Sequence, residues 1–321
     1  MCFINLFYSI LIFWFVKGHY RFPIKIKIES IRKALAFGVP VFVIGILDSV
    51  FVSVDRWLIV TSLGEESVGY YALGLMVGNL LGLVPGSVAS VLYPNMLARF
   101  GSGKDVRAGR NLLVGPFMVL SAFMLILVSV AVLGVPLIIQ LFLAKYIPSI
   151  PIIRILAPGM FFWALSNLPS TYLVSINKQN WIMVVQIAVM IFVVVVGSFV
   201  LWRGNGILEI ALVTSSGYAI YGLCLTVLTF RLIFKRSIDL FPFLLRFLVP
   251  FVVMVMAIGS VDLIVSDEVE AFALVLMTLE RLIFVLSPLG IVLWLMNRKS
   301  EAFLVGLDEL KNWIRARQKA A

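Results

Sequence analysis

Long apolar runs alternate with short polar turns along almost the whole chain. The runs fall at 1–16, 34–61, 68–93, 112–133, 151–174, 181–201, 207–233, 243–265 and 271–296. Most exceed the ~20 residues that cross a bilayer as α-helix. They are too long and continuous for the alternating strands of about 10 residues in an outer-membrane barrel. The pattern predicts an all-α integral membrane protein of about nine transmembrane helices, the first of them short. The intervening turns, such as 64–67, 177–180 and 203–206, leave no room for a soluble domain.

Composition agrees with that pattern: 62% of the 321 residues are hydrophobic and only 13% are charged. Charge placement adds an orientation. Of the 26 Lys and Arg residues, 21 fall in alternate loops at 17–33, 99–110, 178, 231–246 and 298–319, whereas the opposite loops hold only Lys145 and Arg203. Basic residues are held back on the cytoplasmic side, so the C-terminus is expected in the cytoplasm and residue 1 outside. The same bias accounts for the net charge of +10 without any nucleic-acid partner. Cys2 and Cys224 lie in apolar runs with His19 as the lone imidazole, so neither a metal site nor Cys-His catalysis is expected. No enzyme chemistry and no cofactor emerge from the residues.

Three ionised side chains interrupt the apolar run 34–60: Asp48, Asp55 and Arg56. A charge at membrane depth costs about 2.5 to 3.5 kcal/mol even on the lenient insertion scale, so such residues face a partner or a watery cavity. On one continuous helix turning about 100° per residue, Asp48, Asp55, Arg56, Ser49 and Ser53 share a polar face. Leu47, Val50, Phe51, Val54, Trp57 and Leu58 fill the other, expected to face lipid. Adjacent side chains do not face each other on a helix, so Asp55 and Arg56 each need a separate partner. In the bland alternative Arg56 snorkels to headgroups and Asp55 bonds to a neighbouring helix.

Gly74, Gly78, Gly82 and Gly86 recur every four residues in the next run, a spacing that lets helices approach closely in lipid and permits one to slide on another. Arg154 opens a run that also holds Ser166, Asn167, Ser170 and Thr171. Its guanidinium suits bidentate phosphate contact if it lines a cavity, while helix-to-helix hydrogen bonding is the plainer role for these groups. Glu280 and Arg281 in the last run read as a structural pair. Beyond it, Phe303, Leu304, Leu307, Leu310, Trp313 and Ile314 recur at helical spacing opposite Lys311, Arg315 and Arg317, as in an amphipathic helix lying on membrane lipids.

Several stretches carry a family likeness. Phe37-Gly38-Val39-Pro40, then Ser53 to Ile59, Leu63-Gly64 and Val68 to Leu73 closely resemble the start of the second helical lobe in Wzx-type polysaccharide flippases, within the MATE-like multidrug/oligosaccharidyl-lipid/polysaccharide exporter superfamily. Tyr93-Pro94, Pro136 to Tyr146 and Ile152 to Pro158 look similar, so the resemblance covers most of 30–235.

The resemblance implies two six-helix lobes around a cavity, commonly followed by two extra helices. This chain departs from that by showing nine spans. By this register, 1–16 is the last helix of a truncated first lobe, 17–33 a basic cytoplasmic linker, 34–236 the six-helix second lobe, 237–296 two additional spans and 297–321 the cytoplasmic tail. The implied function is translocation of polyprenyl-pyrophosphate-linked oligosaccharide across the bacterial inner membrane by alternating access. Arg56 and Arg154 become the cations for pyrophosphate or acidic sugar, with Asn167, Ser49 and Ser53 beside them in the cavity. Asp48 and Asp55 become the acids for a coupling proton or sodium ion. The missing first lobe, or polysaccharide assembly proteins, are the implied partners. A drug antiporter of the same superfamily and a non-transporting membrane fragment remain the alternatives.

Overall fold

A computed structural model describes residues 28–100, 110–234, 237–262 and 271–297. The expected first span at 1–16, the linker up to residue 27 and the amphipathic tail from residue 298 lie outside the described residues. Ten helices make up nearly everything described, and no strand occurs among these residues. They are α1 (Ile28–Phe51), α2 (Val54–Leu63), α3 (Glu65–Phe100), α4 (Arg110–Phe142), α5 (Ser149–Leu165), α6 (Asn167–Ser175), α7 (Gln179–Trp202), α8 (Ile207–Ile233), α9 (Ser237–Asp262) and α10 (Ala271–Asn297).

Seven spans built from α1 to α9 are long and apolar enough to cross a membrane, matching the expected runs from 34–61 to 243–265. The chain is an all-α integral membrane protein. Helix α10 covers the last expected run, with an exposed Glu280 and a half-buried Arg281 in its middle.

The turns follow from local chemistry. Gly64 and Gly204 take positive φ of 85° and 80°, and Asn177 takes 60°, backbone that most side chains rarely adopt and that stops the helix before it. After α6, the Lys178 N–H returns to the Leu173 carbonyl at 2.8 Å, closing the last turn around Asn177. At the start of α8, the Glu209 carboxylate accepts the Gly206 N–H at 2.9 Å and satisfies a donor the helix cannot use itself. Helix α7 carries matching anchors at its ends. The Lys178 ammonium lies over the Trp181 ring, and the Arg203 guanidinium over Phe199, next to exposed Trp202. Trp181 and Trp202 are separated by a rise of about 31 Å, close to the hydrocarbon thickness.

The chain divides into two compact units, residues 1–42 and 43–321. Of the first, the described part is the opening of α1, with Ile31, Leu35, Val39 and Phe42 exposed. The second is organised around α5, which is packed between α3 and α8. Glycines permit that sandwich on both sides. A Cβ on Gly74 would lie 2.9 Å from Leu156, one on Gly78 1.3 Å from the Met160 sulfur, and one on Gly82 3.2 Å from the Trp163 ring. A ridge of α5 thus sits in the glycine groove of α3. On the opposite face, a Cβ on Gly159 would come within 2.6 Å of the Ser215 Cα, and one on Gly222 within 2.2 Å of the Phe162 carbonyl oxygen. Two apolar cores flank this axis. One joins α2, α5, α7 and α8 around Ile59, Leu156, Val193 and Leu225. The other gathers α4, α5, α8, α9 and α10 around Phe117, Phe161, Phe230, Phe247 and Val285.

Candidate functional site

The run 34–60 is not one continuous helix. It breaks at Val52–Ser53, between the two aspartates, and α2 begins afresh at Val54. The expected polar face also narrows to the two acids. Asp48 turns partly inward, Phe51, Asp55 and Ile59 are buried, and Ser49, Val50 and Trp57 are exposed. The reason is spacing: 48, 51, 55 and 59 recur at three or four residues, and neighbouring helices supply hydrogen-bond partners for the two acids. Phe51, expected on the lipid face, instead packs against the rings of Tyr218 and Tyr221, with centroids 5.4 and 5.8 Å away.

Asp55 is 1% exposed and both of its oxygens are engaged. The Tyr71 hydroxyl of α3 donates to Oδ2 at 2.6 Å, and the backbone N–H of Arg56 donates to Oδ1 at 2.8 Å. The Arg56 guanidinium turns back along the chain, where Nη2 donates to the Val52 carbonyl at 3.2 Å. Close by on α8 lie the Thr214 and Tyr218 side chains, both buried. The Tyr218 hydroxyl makes no hydrogen bond.

Asp48 is held differently. Its Oδ1 accepts from Nε2 of Gln186, a fully buried amide on α7 whose own oxygen makes no hydrogen bond. The buried Tyr221 of α8 completes this side and interacts electrostatically with Asp48 and, through a hydrogen bond, with Ser170 of α6. Two polar clusters thus lie on either side of the break, Asp55–Tyr71–Tyr218 and Asp48–Gln186–Tyr221, with the Phe51 ring between the two α8 tyrosines.

The other predicted residues scatter. Ser49 and Ser53 bond within their own helix, to the carbonyls of Gly45 at 3.0 Å and Ser49 at 2.8 Å. Asn167 stands at a second break, between α5 and α6, and donates to the Ala164 carbonyl at 2.9 Å. Half-buried Arg154 lies near the start of α5, apart in sequence from that break. Of the glycine row, Gly74, Gly78 and Gly82 pack on α5, but a Cβ on Gly86 would meet nothing within 4 Å.

The partners that sequence reasoning missed were Tyr71, Gln186, Tyr218 and Tyr221. Gln186 had a signal, being the one amide in the apolar run 181–201. On α8, Thr214, Tyr218 and Tyr221 recur at helical spacing along one stripe.

Residues 2–108 match a family model described as polysaccharide biosynthesis protein. Over that third of the chain the match supports the coarser likeness, to a polysaccharide biosynthesis family. The matched stretch contains Asp48, Asp55, Arg56, Tyr71 and the glycine row, and it points to a role in polysaccharide synthesis or export. No curated protein and no solved structure matches the chain.

Proposed function

We propose that this membrane protein takes part in flipping polyprenyl-pyrophosphate-linked oligosaccharide from the cytoplasmic to the outer leaflet of the bacterial inner membrane. It acts by alternating access and without covalent chemistry, with its C-terminus in the cytoplasm. The observation that carries this reading is the match over 2–108 falling on a span whose acids are set into an apolar bundle at a helix break. Discontinuous helices are where transporters place substrate and coupling-ion sites.

Within that reading the geometry separates the two acids. Both Asp55 oxygens are engaged, whereas Asp48 has one hydrogen-bond partner and is only partly buried, so Asp48 is the better acid for a coupling proton or sodium ion. Arg56 and Arg154 remain the candidate cations for the pyrophosphate. Deleting the gene tests the proposal. Surface polysaccharide should fall while lipid-linked oligosaccharide accumulates facing the cytoplasm, and restoration should fail with Asp48→Asn. Normal surface polysaccharide in the deletion strain would sink the reading. Uptake of cationic drugs by vesicles containing the protein, without any effect on glycan, would favour the antiporter.

A further inference from the structure

The Asp55–Arg56 pair occupies a place in α1–α2 where a backbone rung is replaced by side chains. In a continuous helix the Arg56 N–H would bond to the Val52 carbonyl. Here the first rung of α2 is Trp57 N–H to Ser53 at 3.1 Å, and the preceding one is exchanged for two side-chain bonds. The Asp55 carboxylate takes the Arg56 N–H, and the Arg56 guanidinium takes the Val52 carbonyl.

Each charge also meets the matching end of a helix dipole. The anion sits at the N-terminus of α2 and the cation at the C-terminus of α1. Backbone groups freed in a membrane helix must find internal partners, and this crossed exchange supplies them. The break is anchored unequally on its two sides. Helix α2 packs on α3, α7 and α8, and Tyr71 ties its carboxylate to α3. Residues 43–51 are held by the Asp48–Gln186 bond and by contacts of Phe51 and Ile44 with the core.

We propose that Asp55 and Arg56 are positioning residues that act as one crossed splice. The splice fixes the bend at Val52–Ser53 and thereby sets Asp48 against Gln186. This inference does not depend on what is transported, and its test needs no transport assay.

The test uses the full chain in lipid nanodiscs with Cys2 and Cys224 replaced by Ser. Spin labels go on exposed Ile46→Cys or Val60→Cys, each paired with a reference label at exposed Phe123→Cys on α4. In Arg56→Met the 46–123 distance distribution should broaden by several ångströms while 60–123 stays narrow, because α2 keeps its own anchors. Arg56→Lys, which retains a cationic donor, should restore the narrow 46–123 distribution. Unchanged distances in Arg56→Met would overturn the splice, and so would broadening of both pairs, which marks general loosening.

A second measurement covers the event that Arg56→Met does not fold. Hydrogen exchange of the Arg56 amide should quicken about tenfold in Asp55→Ala, which loses its acceptor. It should stay at the parent rate in Asp55→Asn, which keeps one. Equal rates in the parent and Asp55→Ala would likewise overturn the proposal.

Discussion

Two membrane spans of this chain are broken in mid-course, and they are mended differently. In α5–α6 the interruption at Ser166 is repaired by neutral groups close in sequence. The Ser166 hydroxyl donates to the Trp163 carbonyl at 2.6 Å, the Asn167 amide donates to Ala164, and the Ser170 N–H donates to the Ser166 carbonyl at 2.9 Å. Two thirds of residues 149–175 are buried, with α3 on one side and α8 on the other. In α1–α2 the repair uses a full carboxylate and a full guanidinium. Among residues 43–63 only Phe51, Asp55 and Ile59 are buried. Hydroxyls and amides suffice to mend a break at lower cost, so charges are retained where they also tie the break to other helices. The tie from Asp55 runs to Tyr71 on α3, and the one from Asp48 runs to Gln186 on α7.

The comparison breaks most sharply where the α5 sandwich cannot yield. Gly222→Val would drive a side chain into the Phe162 carbonyl, and backbone does not move aside as a flexible side chain does. We expect a loss of about 3 kcal/mol or more, seen as collapse of the folded peak in size-exclusion chromatography after mild heating. A parent-like profile would show that α5 and α8 are not held as close as described.

On the charged break the next largest effect is expected from Asp55→Ala. It removes the carboxylate that accepts from both the Tyr71 hydroxyl and the Arg56 N–H, at a cost of about 2 to 3 kcal/mol. Tyr71→Phe should cost less, about 1 to 2 kcal/mol, because the Arg56 N–H still serves the carboxylate. Thermal unfolding of both single variants and the double variant measures the coupling. A strictly additive double variant would mean that the 2.6 Å contact stabilises nothing.

Much of this was legible in the sequence, and what was not has a physical reason. The apolar runs give membrane helices because the length needed to span a bilayer is fixed. The turns at Gly64, Asn177 and Gly204 were readable because few residue types adopt a left-handed backbone easily. The wheel drawn through Asp48, Ser49, Ser53, Asp55 and Arg56 placed both aspartates on one stripe but drew the polar face too wide, because Ser49 and Ser53 satisfy their hydroxyls on carbonyls of their own helix and need no polar neighbour. No Pro or Gly lies at Val52–Ser53 to announce the break, which depends on the side chains of the next two charged residues. Tyr71, Gln186 and Tyr218 were not found because their role comes from helices distant in sequence meeting Asp48 and Asp55. The glycine row was visible, but its spacing could not tell that α5 covers Gly74, Gly78 and Gly82 and stops short of Gly86.

A smaller effect on stability separates the two acids. Asp48→Asn keeps an oxygen for the Gln186 amide in a half-buried position, so we expect a change of no more than about 1 kcal/mol in thermal unfolding. Export should nevertheless be lost if Asp48 carries the coupling ion. Retained export with unchanged stability would remove Asp48 from the mechanism and leave the Asp48–Gln186 bond as helix packing alone.

The one substitution expected to cost nothing lies in the glycine row, at Gly86, and it is read against Gly78. Gly78→Ala places a methyl group where the Met160 sulfur lies; that side chain is flexible but 2% exposed, so the groove must reopen, and a loss of about 1 to 2 kcal/mol should follow. Gly86→Ala meets open space on the same helix. Alanine is also the better helix former, so stability should stay level or rise by up to about 1 kcal/mol, with lipid filling the space beside it. Thermal unfolding of the two variants side by side decides the point. Equal losses would mean that the row acts as one surface against a further partner, whereas a loss at Gly78 alone makes it the groove in which the α5 ridge lies.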